Sequence, residues 1–338
     1  MKKIGIVTLN DYVNFGNRLQ NYALEKYLNK LNGCVAYNIW KKDILYIFKD
    51  IIKRLLPLKK FRRISKFRKF NRNIKTINNE KQIEYYVTGS DQVWNPQWAA
   101  TNELLLKNKN SKNKISYSAS FGIKQLSEEQ KEKFKDALKD YKSISVREDS
   151  AKKIIDELNL KKEVYVSVDP TMLLSSEEWQ TVAKRPKNYN NEKFILNYFL
   201  GNISEKRKKE IEKIARENDC IIINLMDKND KYYVSGPSEF LWLEKNAFLV
   251  CTDSFHSSVF AFLFNRPFVV FERDEKINKD MSTRIDTLLS KFDIKGRRFN
   301  GQEITTENLT HNYEESYKIL EKERRKTKEY FLKALDIK

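Results

Sequence analysis

Histidine is almost missing from this chain: His256 and His311 are the only two in 338 residues. A zinc centre built on histidine therefore lacks a second ligand of that type. Glycine is scarce too, with nine residues, and neither G-x-G-x-x-G nor a P-loop occurs. That argues against the usual glycine-built cradles for dinucleotides and triphosphates. The three cysteines, Cys34, Cys220 and Cys251, are far apart in strand-like apolar runs and show no pairwise metal spacing. They suit reduced, packed thiols in the cytoplasm. No run of about 18 apolar residues is present, so no segment is expected to span a membrane. The opening MKKIGIVTLNDYVNFGN resembles a signal peptide only in its two lysines, since Asn and Asp soon follow a short apolar run. It reads as the first strand of a fold.

What is present is ample apolar material and a large positive charge. With 40% hydrophobic and 12% aromatic residues, the chain can build a sizeable core, and its length favours two domains. The formal charge is +19, and residues 41–75 hold 14 Lys and Arg against 2 Asp, so +12 of it lies in that segment. Apolar residues run through the same segment: Ile44, Leu45, Ile47, Phe48, Ile51, Ile52, Leu55 and Leu56, then Phe61, Ile64, Phe67 and Phe70 at the spacing of a helix stripe. Such a stretch fits a solvated basic helix packed on its own domain. It also fits an element that meets an anionic membrane surface or lipid-linked ligand, or one that meets nucleic acid. No sequence-specific nucleic-acid motif is present.

Elsewhere strands and helices alternate. Strand-like runs fall at 3–9, 35–40, 85–90, 115–120, 143–148 and 164–169, with helical patterns at 17–31, 127–141 and 149–158. Ser127 with Gln130 predicts a capping box, and Asp149 an N-cap. The polar run 169–193 reads as a linker or domain crossing. Alternation resumes with strands at 194–200, 220–226, 248–253 and 268–273 and with helices at 204–217, after Pro237 and over the SFHSSVFAFLF run. Apolar strands alternating with helices indicate parallel sheets covered on both faces. The expected fold is α/β, with two Rossmann-like domains, 1–170 and 171–338, facing each other across a cleft.

Four strand-to-helix junctions carry candidate chemistry, because open α/β sheets place ligands at the carboxyl ends of their strands. In TLNDYVNFGNRLQNYAL, the residues Asn14, Gly16, Asn17 and Gln20 offer amide donors at a helix start, a place that favours an anion, or they form an ordinary capped turn. In VTGSDQVWNPQW, Asp91 and Trp94 suit a sugar held by a carboxylate and a stacking ring, or a capped turn beside core tryptophans. In SVREDSA, Arg147 offers a bidentate fork for carboxylate or phosphate, or pairs with Glu148 or Asp149. In TDSFHSSVF, His256 falls in a helix first turn, where the dipole favours a bound anion over an imidazolium. The alternative there is a buried imidazole satisfied by hydrogen bonds. Serine hydrolysis is not supported, since there is no G-x-S-x-G elbow, and Ser254 and His256 point different ways at a helix start.

These junctions carry a resemblance. GIVTLNDYVNFGNRLQNYAL, GSDQVWNP, SYSASFG, SVREDSA, VDPTMLL, GPSEFLWL, TDSFHSSVFAFLFNRPFVVF and STRIDTLL occur in the order and spacing of the polysaccharide pyruvyl transferase family, and the match covers nearly the whole chain. The resemblance implies a GT-B-like arrangement and transfer of pyruvate from phosphoenolpyruvate onto a sugar as a ketal, with no metal and no cofactor beyond that co-substrate. It implies that Arg147 and His256 bind the donor, and that His256 gives a proton to the enol carbon and takes one back. It also shows a departure. Some members carry arginine two residues before the histidine, where this chain has Ser254, so another cation is needed. Arg284 is the expected substitute, with Arg266 and Arg297 behind it. Asp91 and Trp94 would serve the acceptor, or belong simply to the family's scaffold. The basic segment would suit a lipid-linked oligosaccharide at the inner membrane face, making the protein cytoplasmic and peripheral. The same fold would also suit a transferase that uses a nucleotide sugar, and the +12 segment alone would suit a non-catalytic polyanion binder.

Overall fold

The computed structural model describes residues 1–10, 13–39, 58–98, 100–105, 113–273 and 283–337. The chain forms two compact units. One comprises Met1–Asp50, Asn71–Leu173 and Leu320–Lys338, the other Ile51–Phe70 and Leu174–Ile319.

The first unit is built on strands β1 (Lys2–Val7), β2 (Cys34–Ile39), β3 (Thr76–Ile77), β4 (Tyr85–Thr88), β5 (Lys114–Ser116), β6 (Tyr141–Val146) and β7 (Val164–Val166). They form a seven-stranded sheet in the order β3-β2-β1-β4-β5-β6-β7, and every pairing is parallel. Chain order reverses direction beside β1, which makes the β1/β4 boundary a topological switch point. Helix α1 (Phe15–Leu28) follows β1, and α2 (Leu58–Asn71) follows β2 in sequence but belongs to the second unit. Helices α3 (Glu128–Leu138) and α4 (Asp149–Glu157) flank β6. The core includes Trp94, Phe121, Phe134 and Tyr141, all at 0% exposure. Ring contacts at 5.5 Å (Trp94–Phe121) and 4.9 Å (Phe121–Phe134) tie these side chains together.

The second unit has strands β8 (Phe194–Tyr198), β9 (Ile221–Asn224), β10 (Leu249–Thr252) and β11 (Phe268–Val270), all parallel, in the order β11-β10-β8-β9. Its helices are α5 (Glu205–Glu217), α6 (Pro237–Asn246), α7 (Phe255–Leu263) and α8 (Thr283–Lys291). The last helix, α9 (Glu314–Ala334), starts in the second unit and ends in the first. Its terminal half stays with the first sheet because Tyr330 and Phe331 bury their rings against Tyr117, at 6.2 and 4.7 Å.

Local chemistry explains the element ends, with some differences from expectation. Helix α1 starts two residues earlier than its apolar pattern suggests, because Asn14 Oδ1 accepts from the backbone N–H of Asn17 and caps it. The Ser127–Gln130 capping box forms with both of its bonds. Asp149 is not a cap: Glu148 holds that position, without a side-chain cap bond, and Asp149 opens the helix. The polar run 169–193 contains a 3-10 turn, Pro170–Leu173, and a short helix, Ser176–Gln180, closed by a Ser175–Glu178 capping box. The division into units falls between Leu173 and Leu174, and it differs from the expected 1–170 and 171–338 by assigning residues 51–70 to the second unit and 320–338 to the first.

The reassignment of α2 has a specific anchor. Arg63 is 3% exposed and donates from Nη1 to the carbonyls of Tyr233 (2.8 Å) and Leu225 (3.2 Å). Its guanidinium lies 4.9 Å from the Tyr233 ring centroid, and Lys66 pairs with Glu239 at 2.7 Å. Ile64, Phe67 and Phe70 are buried. The second part of the stripe, open in sequence to packing or to a membrane surface, is thus consumed by packing, whereas Lys60, Arg62 and Lys69 stay exposed. Residues 41–57 of the basic segment lie outside the described residues. Among the described residues no helix is long and apolar enough to cross a membrane.

Candidate active site

In both units the polar side chains gather where strands end. In the first unit the loops after β1, β4, β5, β6 and β7 meet in one buried network. Thr8 Oγ1 donates to the Ser90 carbonyl (2.9 Å), and Gln20 Nε2 donates to Thr8 Oγ1 (3.2 Å). Asn17 Nδ2 donates to Asp91 Oδ2 at 2.9 Å. Ser90 Oγ donates to the Ser118 carbonyl at 2.9 Å, with Asp169 Oδ2 3.3 Å away. Backbone shape keeps this corner tight. Gly89 has φ +124°, and a Cβ there would fall 2.2 Å from the Tyr117 carbonyl oxygen, so no other residue fits. Asp91 itself is held at φ +75°, a left-handed value that aspartate tolerates better than most residues.

Arg147 sits inside this network. Its Nη1 pairs with Asp169 Oδ2 at 2.8 Å, and Asp91 and Glu148 each approach within 3.8 Å. The side chain is 2% exposed. Burial works against the charge, but Asp169, then Asp91 and Glu148, outweigh it and hold the guanidinium above its usual pKa. Glu148 is fixed in turn by Ser120 Oγ, which donates to Oε1 at 2.7 Å. Of the residues proposed from sequence, Asn17, Gln20, Asp91 and Arg147 are therefore brought together, Asn14 serves as the α1 cap, and Gly16 is buried in the first turn. Trp94 is a correction: it is 0% exposed and packs edge-on against Tyr141 at 6.0 Å, so its ring has no face for a sugar.

In the second unit the loops after β8, β10 and β11 converge on Asp253. Its Oδ1 accepts from the Leu200 N–H (2.8 Å), and its Oδ2 accepts from the Gly201 N–H (2.8 Å) and Arg273 Nε (2.9 Å). The next residue, Ser254, occupies the N-cap position of α7 without a side-chain cap bond, and its N–H donates to Thr252 Oγ1 at 3.0 Å. His256 lies in the first turn of α7, 8% exposed, with its ring 5.2 Å from that of Phe255. The Arg284 guanidinium lies 6.0 Å from the same Phe255 ring, so His256 and Arg284 both border Phe255. The other two arginines weighed for the missing cation are placed elsewhere. Arg297 spends its Nη atoms on the carbonyls of Asn308, Glu307 and Thr310, at 2.9, 2.6 and 2.6 Å. Arg266 precedes β11, at the amino end of that sheet, opposite to the loop that carries Ser254. His311 is half-buried beside Tyr313, where burial lowers its pKa. None of these residues lines the cavity of about 340 Å³ bordered by Phe199, Asn224 and Met226 in the same unit.

Three residues central to these networks, Asp169, Asp253 and Arg273, are not among the candidates that the sequence offers. Each closes an apolar run, VYVSVD, FLVCTD and FVVFER, so the strand-end rule that selected Arg147 and His256 applies equally to them.

A family model for polysaccharide pyruvyl transferase matches residues 14–275, from the Asn14 cap through Arg273 and two residues beyond. The chain belongs to the polysaccharide pyruvyl transferase family. Solved structures similar to this family member show its fold only. The S. aureus MnaA–UDP co-structure superposes with TM-score 0.53 at 13% identity, covering 100% of this chain and 98% of that one. UDP-GlcNAc 2-epimerase from Methanocaldococcus jannaschii gives 0.50 at 14% identity, over 95% of this chain and 92% of that one. The enzyme from Neisseria meningitidis bound to UDP-GlcNAc gives 0.50 at 11%, over 98% and 100%. No curated protein matches the sequence. The α/β class with parallel sheets and GT-B-like relatives is the one expected for the pyruvyl transferase family.

Proposed function

We propose that this family member transfers pyruvate from phosphoenolpyruvate to two hydroxyls of one sugar, forming a ketal and releasing phosphate. The observation that carries the reading is His256, one of two histidines, set in the first turn of α7 at the carboxyl end of β10 in a chain of this family. Protonation of the methylene carbon of phosphoenolpyruvate makes C2 electrophilic. A sugar hydroxyl adds there and loses its proton. Phosphate then leaves, taking the C–O bonding pair, and the second hydroxyl closes the ring as its proton passes to the phosphate. The methyl proton is thus balanced by the first hydroxyl proton. One imidazole able to give and then recover a proton near neutral pH suits this exchange. The nucleophile is a hydroxyl and the leaving group is already a phosphate, so the reading calls for no metal or cofactor.

The acceptor is a sugar of a cell-surface polysaccharide or its precursor. A lipid-linked oligosaccharide at an anionic membrane surface fits the exposed lysines and arginines of α2, which act by charge now that the apolar stripe is buried. UDP-sugars in the names of the similar structures motivate a second reading, a transferase that uses a nucleotide sugar. Incubation with phosphoenolpyruvate and a panel of lipid-linked and nucleotide-linked sugars separates the two. Phosphate release with a product carrying one acid-labile pyruvyl ketal supports the first reading. Release of a nucleoside diphosphate with no consumption of phosphoenolpyruvate sinks it.

A further inference from the structure

The two strand-end networks hold their arginines in opposite ways, and the difference bears on where an anionic donor is met. Arg147 has three carboxylates within 3.8 Å and 2% exposure, so its immediate surroundings are net negative. Among the described residues Arg273 has one carboxylate partner. Asp253 takes only Nε, and among the described residues Nη1 and Nη2 have no hydrogen-bond or ion-pair partner. Asp253 is itself tied down by two backbone N–H groups, on Leu200 and Gly201, and is 3% exposed. The Arg273 side chain is 12% exposed, largely desolvated but within reach of a small ligand. Gly201 permits the arrangement: a Cβ there would meet Arg273 Cδ and Asp253 Oδ2, each at 3.2 Å. A guanidinium anchored through Nε presents its outer fork in a fixed plane, which suits carboxylate or phosphate and loses little side-chain entropy on binding.

We propose that Arg273, positioned by Asp253, is the cation that binds the anionic donor beside His256, in the place where Ser254 leaves the loop without a charge. The assignment rests on the reading of phosphoenolpyruvate as donor. Asp253 is a positioning residue: it fixes the Leu200–Gly201 turn and the Arg273 side chain, and it begins the loop that leads through Ser254 to His256.

The test is calorimetric titration of phosphoenolpyruvate, and in parallel UDP-N-acetylglucosamine, into the full-length protein and into Arg273→Gln, Arg273→Lys and Arg273→Gln/Asp253→Asn, with thermal unfolding to show that each is folded. Arg273→Gln should weaken phosphoenolpyruvate binding by about 10- to 100-fold, the value of a charge-assisted hydrogen-bond pair. Arg273→Lys, which keeps the charge without the fork, should fall between. The double variant is the readout that a merely structural ion pair would not produce. Removing Arg273 alone leaves the Asp253 carboxylate facing the donor, so adding Asp253→Asn should restore part of the lost affinity rather than lower it further. If wild type binds phosphoenolpyruvate and the Arg273 variants bind it equally well, the assignment is overturned and the donor reading stands. If wild type ignores phosphoenolpyruvate but binds the UDP-sugar in an Arg273-dependent way, the donor reading falls and Arg273 keeps its role toward another anion. Binding of neither ligand overturns both.

Discussion

The strand-end loops of the two units occupy the same topological place and are wired differently. In the first unit, one arginine is shared among Asp169, Asp91 and Glu148, and the side chains around it bond to each other. In the second, one carboxylate is shared among two backbone N–H groups and one arginine, which leaves part of the guanidinium without a described partner. Three carboxylates around one guanidinium already outnumber its charge and oppose a further anion. One carboxylate, itself held by two backbone N–H groups, leaves a guanidinium better placed to meet one. An arginine at a strand end is thus no guide to binding until its counter-charges are counted.

Changes at Arg147 break the comparison most severely. Arg147→Ala leaves three carboxylates close together without their cation, two of them nearly inaccessible to water, and should lower unfolding free energy by about 3–5 kcal/mol in urea titration. A loss below about 1 kcal/mol would mean that Arg147 is held for a ligand and not for the fold. His256→Gln should behave in the opposite way, with turnover falling about 10²- to 10⁴-fold and the unfolding midpoint nearly unchanged. A large stability loss with activity retained would make His256 a core residue. Arg63→Leu tests the strap formed by α2. It removes two bonds to backbone carbonyls and the contact with Tyr233, and about 2 kcal/mol of stability should go with them.

A smaller effect is expected at Glu244, which is fully buried and bonded to Ser257, the residue after His256. Burial raises its pKa well above the usual carboxylate value of 4.5. A raised folded-state pKa means that this group favours folding most at low pH, and that the contribution is lost as pH climbs above 4.5 toward the folded value. Glu244→Gln keeps the neutral shape, so its stability should decline less than that of wild type over that interval, as followed by thermal unfolding from pH 4 to pH 8. Parallel curves would show that Glu244 is already ionised in the folded protein.

Much of this was legible in the chain itself. Every strand expected from an apolar run is present, and among the described residues only the two-residue β3 is unforeseen, because parallel strands covered on both faces must be apolar along their length. The Ser127 cap and the α7 start beside His256 depend on neighbours a few residues away, and they too were readable. Trp94 was not, since a tryptophan in a polar loop looks the same in sequence whether it faces a sugar or Phe121.

The sequence alone determined the family, the alternation of strands and helices, and the strand ends at which chemistry gathers. Tertiary structure decided which charges are already spent. Asp253 and Arg273 are 20 residues apart, Arg147 and Asp169 are 22, and Arg63 reaches Tyr233 across 170. Helix and strand preferences are set by neighbours within a few positions, whereas an ion pair depends on which distant side chains the sheet order brings within about 4 Å, and no local pattern in the sequence encodes that distance.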